Sequence, residues 1–208
     1  MISRRRSFLA FLGLAPFALG GLAACSSANP NYYRIGPVPG PQVAGAPPSI
    51  EVRSISIPGY LDREEIVKQA NAYKLDVHTN DIWAEPLASM LEDSLVADLQ
   101  TRLTGSTVIG AGGSIGANAN LMVETNLLRF DPDPDGQMVL QVQVGIRDSA
   151  SMKLLGTRNI TRQAPSGQPV VANIVASMST LWGQAADEIA AFLAQTWATH
   201  PHGRGQSS

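Results

Sequence analysis

Residues 137–148, QMVLQVQVGIRD, place Met138, Leu140, Val142, Val144 and Ile146 on one parity and Gln141 and Gln143 on the other. A period of two predicts a strand with one buried face. Residues 120–130, NLMVETNLLRF, and KLLGTRNITRQ after them predict two further strands. Residues 49–57, SIEVRSISI, carry Ile50, Val52, Ile55 and Ile57. These β-branched residues predict a strand, with a slip of register, and so a bulge, between Val52 and Ile55. STVIGA reads as a short strand, and YYRI, residues 32–35, as a first one.

Two stretches follow the helical period instead. Leu87, Met90, Leu91, Leu95, Leu99 and Leu103 share one face, which predicts a helix starting near Trp83 and stopping at Gly105. Asp81 is its expected cap, with Glu85 in the first turn and Pro86 tolerated there. Residues 170–199 place Ile174, Met178, Leu181, Ala185, Ile189, Phe192 and Leu193 on one side of a long helix. The Pro/Gly-rich residues 36–48 read as an extended surface loop. Pro58-Gly59 ends the strand before it, YLDREEIVKQ follows, and NAYKLDVHTND reads as a short strand leading to a turn. The expected fold is a single α+β domain: a mixed, largely antiparallel sheet of roughly five to seven strands packed against two long amphipathic helices. A parallel pair joined through the first helix to STVIGA fits a right-handed crossover.

The N-terminus changes the picture more than composition does. RRRSFLAFLGLAPFALGGLAAC has the charged, apolar and small-residue zones of a secretory signal. Its ending, Leu22-Ala23-Ala24-Cys25, resembles a bacterial lipobox, in which the cysteine is acylated and the leader cut before it. Cys25 is the only cysteine, so no internal disulfide can form. Ser26 follows it rather than aspartate, which by resemblance to bacterial sorting signals directs the lipoprotein to the outer membrane, facing the periplasm. Arg5-Arg6-Ser7-Phe8-Leu9 resembles a twin-arginine export motif, and an ordinary secretory n-region accounts for the same arginines. The organisation expected is a signal peptide at 1–24, a lipidated N-terminus and Pro/Gly-rich loop at 25–48, the α+β domain at 49–199, and a disordered tail at 200–208. Removing Arg4, Arg5 and Arg6 lowers Lys plus Arg from 15 to 12 against 17 acids, a charge of about −5. No basic stripe is present, so nucleic acid is not an expected partner. Acyl chains, not charge, must then hold the protein on a membrane.

Candidate chemistry is sparse. DPDPDG, residues 131–136, opens like an EF-hand loop, but its twelfth position is Val142 and strands flank it. It reads instead as a hairpin turn, with Asp135-Gly136 at the positive-φ positions and the aspartates keeping it solvated. GGSIG, residues 112–116, fits the nucleophile elbow G-x-S-x-G around Ser114. The helix that should follow is missing, and His200 and His202 sit in the polar tail. A lipid-anchored hydrolase using Ser114 is therefore the weaker reading. His78 has no second ligand near it in sequence. No metal, no cofactor and no catalytic group is expected.

Residues 54–99 carry a recognisable pattern: Pro58, then Tyr60-Leu61-Asp62-Arg63, Ile66-Val67, and Trp83-Ala84-Glu85-Pro86-Leu87 opening a helix. Arg129-Phe130 ends a later strand, and VVANIVASMSTLWGQAADEIAAFLA closes the chain. This resembles the ABC-type transport auxiliary lipoproteins, the PqiC-like family, over nearly all of the mature chain. Lys68 departs from it, standing where relatives often carry an aromatic residue. The resemblance implies a non-catalytic outer-membrane lipoprotein in lipid or hydrophobic-solute traffic across a Gram-negative envelope. Its implied partners are an MCE-type substrate-binding protein and the ABC permease and ATPase of the inner membrane. A structural lipoprotein assembled with an outer-membrane barrel is the rival, and a homo-oligomer stays open. Tyr60, Arg63, Trp83 and Glu85 are the candidate partner-binding residues, being hot-spot types or charges near breaks in regular structure. Trp83 and Leu87 capping the core is an equal reading.

Overall fold

The computed structural model describes residues 29–112, 118–167 and 170–200. In chain order the elements are β1 (Asn31–Tyr33), β2 (Ser49–Val52), β3 (Glu65–Asn71), β4 (Lys74–Trp83), α1 (Leu87–Arg102), β5 (Thr107–Gly110), β6 (Leu121–Pro132), β7 (Gln137–Asp148), β8 (Leu154–Pro165) and α2 (Val171–Thr199). The result is a single α+β domain, as the periodicities imply.

The strands divide into two sheets rather than one. A five-stranded sheet runs β5-β2-β6-β7-β8, and a three-stranded one runs β1-β4-β3. β6, β7 and β8 form an antiparallel meander, while β2 lies parallel to both β5 and β6. Both helices cover one face of the larger sheet, α1 over β2 and β5, and α2 over β6, β7 and β8. The inward parity of β7 is buried from Met138 to Ile146, and the opposite face presents Gln143 and Asn159 to solvent. Leu91, Leu95 and Leu99 of α1 are completely buried against α2, each worth about 1.5–3 kcal/mol. The Trp182 indole on α2 donates to the Leu91 carbonyl at 3.0 Å and packs on Phe130, ring centroids 6.1 Å apart.

Several expectations are corrected. Glu65–Asn71 is a strand, and it pairs with the ten-residue β4 as a hairpin. β4 runs through to Trp83, so that residue ends a strand and does not open a helix. Pro86 occupies the N-cap position without a side-chain cap, and no acid lies in the first turn. Asp81 instead accepts from Asn31 Nδ2 at 2.9 Å, and Glu85 precedes the helix. Proline explains the shift, because its missing N–H is tolerated only where a helix has no use for it. The expected bulge after Val52 is a strand end, with one parallel bridge resuming at Ser56.

The Pro/Gly-rich segment 36–48 is irregular, as expected, but it straps across the helices. Val38 N donates to Asp98 Oδ1 at 2.7 Å, and Val43 N to the Arg102 carbonyl at 2.7 Å. In the turn after β6, only Gly136 has positive φ, at 77°. Asp133 accepts from the backbones of Asp135 and Gln137 at 3.0 and 2.8 Å, which is the Asx chemistry that closes such turns. Asp131 is fully buried, not solvated.

Candidate functional site

Three segments are stitched together where β4 ends. Trp83 N donates to the Glu64 carbonyl at 2.7 Å, and Ala84 N to the Tyr33 carbonyl at 2.8 Å. Pro58 supplies the carbonyl for a tight turn to Leu61 N at 2.9 Å. That turn sends Asp62, Arg63 and Glu64 back past the β4 terminus. Pro86 then forces the chain out of the strand and into α1.

The outcome is an open cleft of about 420 Å³ between β1, the Asp62–Glu64 turn and the entry to α1. Arg63, Trp83 and Glu85 all line it, together with Tyr32. Trp83 is 7% exposed, so most of its indole belongs to the core and only an edge faces the cleft. The burial places Trp83 in the core, and its exposed edge forms one wall of the cleft. Arg63 Nε donates to Glu65 Oε2 at 2.9 Å, and this guanidinium holds the Glu65 carboxyl below its ordinary value. Asp62, Glu64 and Glu85 add three further carboxylates, so the rim is acidic. A neighbouring cleft of about 440 Å³ shares Ala84 and Glu85 and includes Arg34 and Met90. Glu85 thus stands on the ridge between two concavities.

Tyr60 is not part of this site. It lies beneath the β3–β4 hairpin, beside Gln69, Leu128 and Arg129. Burial first, and the Asp131 carboxylate second, push its hydroxyl up to about 12. Asp131 Oδ1 accepts from Arg129 Nε at 2.8 Å, and Arg129 also donates to Gln69 Oε1 at 3.1 Å. Asp131 Oδ2 meets no hydrogen-bond partner of standard geometry among the described residues, while the nearby Tyr60 hydroxyl favours the charged carboxylate. Burial raises the Asp131 carboxyl above its ordinary value despite Arg129.

Sequence reasoning passed over Tyr32, which is 67% exposed on the cleft edge. It also passed over the buried Arg102, which donates to Asp187 Oδ1 at 2.6 Å, to the Gly183 carbonyl at 3.0 Å and to Asp98 Oδ1 at 3.3 Å. An i, i+4 Asp–Arg spacing was the available signal, but it equally describes a solvated helix face. Cys25, Ser114 and His202 lie outside the described residues. His78 sits near Asp81, Nδ1 to Oδ2 3.8 Å. Among the described residues no group of His, Cys, Asp and Glu could hold a metal ion, and no helix is long and apolar enough to cross a membrane.

Known proteins match both the sequence and this architecture. The profile of the family described as the ABC-type transport auxiliary lipoprotein component matches residues 33–190. The intermembrane transport lipoprotein PqiC of Escherichia coli is 28% identical over 174 residues, covering 81% of this chain and 90% of that protein. Its Shigella flexneri counterpart matches equally. A crystal structure of a Xanthomonas campestris protein superposes with a TM-score of 0.61 at 21% identity, over 80% of this chain and 96% of that one. A crystal structure of an uncharacterized protein reaches 0.66 at 20% identity, over 79% and 99%. The match begins at Tyr33, the last residue of β1, and ends on α2, so it takes in β2–β8 and the cleft residues other than Tyr32. The chain belongs to the ABC-type transport auxiliary lipoprotein family.

Proposed function

We propose that this chain is the outer-membrane lipoprotein subunit of an ABC/MCE-type system moving lipid, or another hydrophobic solute, between the two membranes of a Gram-negative envelope. Acyl chains on Cys25 hold it to the membrane, facing the periplasm. It carries out no chemistry of its own and docks the MCE-type substrate-binding protein, whose ABC permease and ATPase sit in the inner membrane. One observation carries the docking surface: Arg63, from the turn before β3, meets Trp83 and Glu85, from the β4–α1 junction, on one open cleft. Family membership and the likeness to a protein named as an intermembrane transport lipoprotein support the pathway. Tyr60 drops out of the docking set and is assigned to the hairpin's support.

Crosslinking in intact cells, with the acylated chain as bait, tests this. Capture of an MCE-type protein through residues around the cleft is the expected result. Capture of an outer-membrane barrel with no MCE-type protein would replace the transport reading with the assembly one. A serine-directed fluorophosphonate probe that labels Ser114 would restore the hydrolase reading.

A further inference from the structure

The distance between the lipid anchor and the cleft is short enough to fix which end of the domain faces the bilayer. Six peptide steps separate Cys25 from Asn31, and six residues of fully extended chain span roughly 20 Å. Asn31 is where the folded domain begins to hold the chain: it pairs with Asp81 on β4, and its side chain donates to the Asp81 carboxylate at 2.9 Å. The next residue, Tyr32, lines the cleft. The domain therefore cannot carry this end far from the headgroups, whatever path residues 26–30 take.

The side chains at this end fit that position. Tyr32 and Arg34 are exposed, while Tyr33 is half-buried and Ile35 is buried. Alternation along an extended segment puts the exposed pair on one side. An aromatic ring with a polar tip beside a long cationic stem is the combination that settles at headgroup level. The β3–β4 hairpin tip lies at the other end of β4, where Tyr73 is fully exposed. Ten residues of strand separate that tip from Trp83, about 30 Å at the usual rise.

We infer that the β1 end is the membrane-contacting end, with Tyr32 and Arg34 resting on the lipid headgroup layer and the Arg63–Trp83–Glu85 cleft opening just above it. This rests on the acyl anchor of the proposed function and adds a geometry to it. A partner docked in the cleft has its contacting end delivered to the leaflet surface rather than held out in the periplasm.

Acylation consumes the thiol of Cys25, so a cysteine introduced elsewhere is the sole reactive thiol of the mature chain. Acylated full-length Ala84→Cys and Tyr73→Cys are each labelled with a donor fluorophore. They are then bound to phosphatidylethanolamine/phosphatidylglycerol vesicles carrying a headgroup acceptor. Strong transfer is expected from position 84 and weak transfer from position 73. Replacing Tyr32 and Arg34 by serine, or inserting about ten Gly/Ser residues before Asn31, which raises the mean reach of the tether from about 13 to about 22 Å, should lower transfer from position 84. Flotation with the vesicles and no excess transfer from position 84 would overturn this inference and leave the transport reading standing. Failure to float would overturn the acyl anchor, and this inference with it.

Discussion

Arg102 shows how far one residue can govern the packing of this domain. Its guanidinium is 1% exposed and joins the α1 residue Asp98 to Asp187 and the Gly183 carbonyl on α2. Asp98 in turn receives the Val38 N–H of the strap, so one charge cluster ties three segments together. Removing one member of a buried pair leaves the other charged and uncompensated, at a cost of about 3–5 kcal/mol. Arg102→Leu should lose stability on that scale in urea unfolding, although it adds apolar surface. Asp131 behaves in the opposite sense. Burial raises its carboxyl above the ordinary value. Its favourable contribution is therefore complete below the unfolded aspartate pKa and lost as pH rises through the folded one. Asp131→Asn, nearly isosteric and uncharged, should melt above the wild type at pH 7. The gap should close as pH falls toward the ordinary aspartate range, about 4. Glu65 and Glu124, held low by Arg63 and Arg147, contribute stability that is present above their unfolded pKa and lost on acidification. They are common to both proteins, so the difference between the two melting curves isolates Asp131. A gap that stays constant with pH would show that the carboxyl is not raised.

At the scale of elements, legibility in the sequence tracks how one-sided each burial is. β7 has a dry face and a wet one, and α2 carries an uninterrupted apolar stripe, so both could be read from periodicity alone. The β3–β4 hairpin could not, because most of β4 is only half-buried or exposed and its pattern never becomes strict. The entry to α1 misled for a different reason. Asp81-Ile82 followed by Trp-Ala-Glu-Pro looks like a cap and first turn, but backbone bonds from Trp83 to Glu64 and Ala84 to Tyr33 hold that stretch extended. Tertiary pairing outweighed local propensity there. For the same reason the cleft was partly legible: Arg63, Trp83 and Glu85 could be picked by type, while Tyr60's separation from them could not. The strap adds a test of packing between elements. A glycine-to-alanine change inside a helix ordinarily stabilises it by about 1 kcal/mol. A Cβ on Gly183 would lie 2.7 Å from Val38 Cβ, so Gly183→Ala should instead destabilise by roughly 1–3 kcal/mol. Pairing it with Val38→Gly removes the clashing atom. Thermal melts should then show the double variant recovering much of the loss, and no recovery would locate the strain elsewhere.

At the scale of the whole molecule, the structural role of the cleft and its proposed docking role can be separated because its residues differ in burial. Trp83, at the end of β4, belongs to the buried core. Trp83→Ala should therefore cost about 3–5 kcal/mol of stability, and any loss of partner binding by that variant says nothing about contact. Arg63 and Glu85 are exposed and sit outside the core. Arg63→Ala and Glu85→Ala should each leave the melting temperature nearly unchanged, as surface substitutions usually do within about 0.5 kcal/mol. Their effect should fall instead on retention of the MCE-type protein by the acylated chain. Arg63 loses a donor already shared with Glu65, and Glu85 loses a charge standing between two concavities. Removing both should weaken capture more than removing either, because the two flank the same wall. Conservative Arg63→Lys keeps the charge but not the forked geometry, so partial capture would point to electrostatics and full loss to directed hydrogen bonds. If the double variant melts normally and captures the partner as well as the wild type does, the docking surface is elsewhere. The β3–β4 tip, with Tyr73 fully exposed, is then the next surface to mutate.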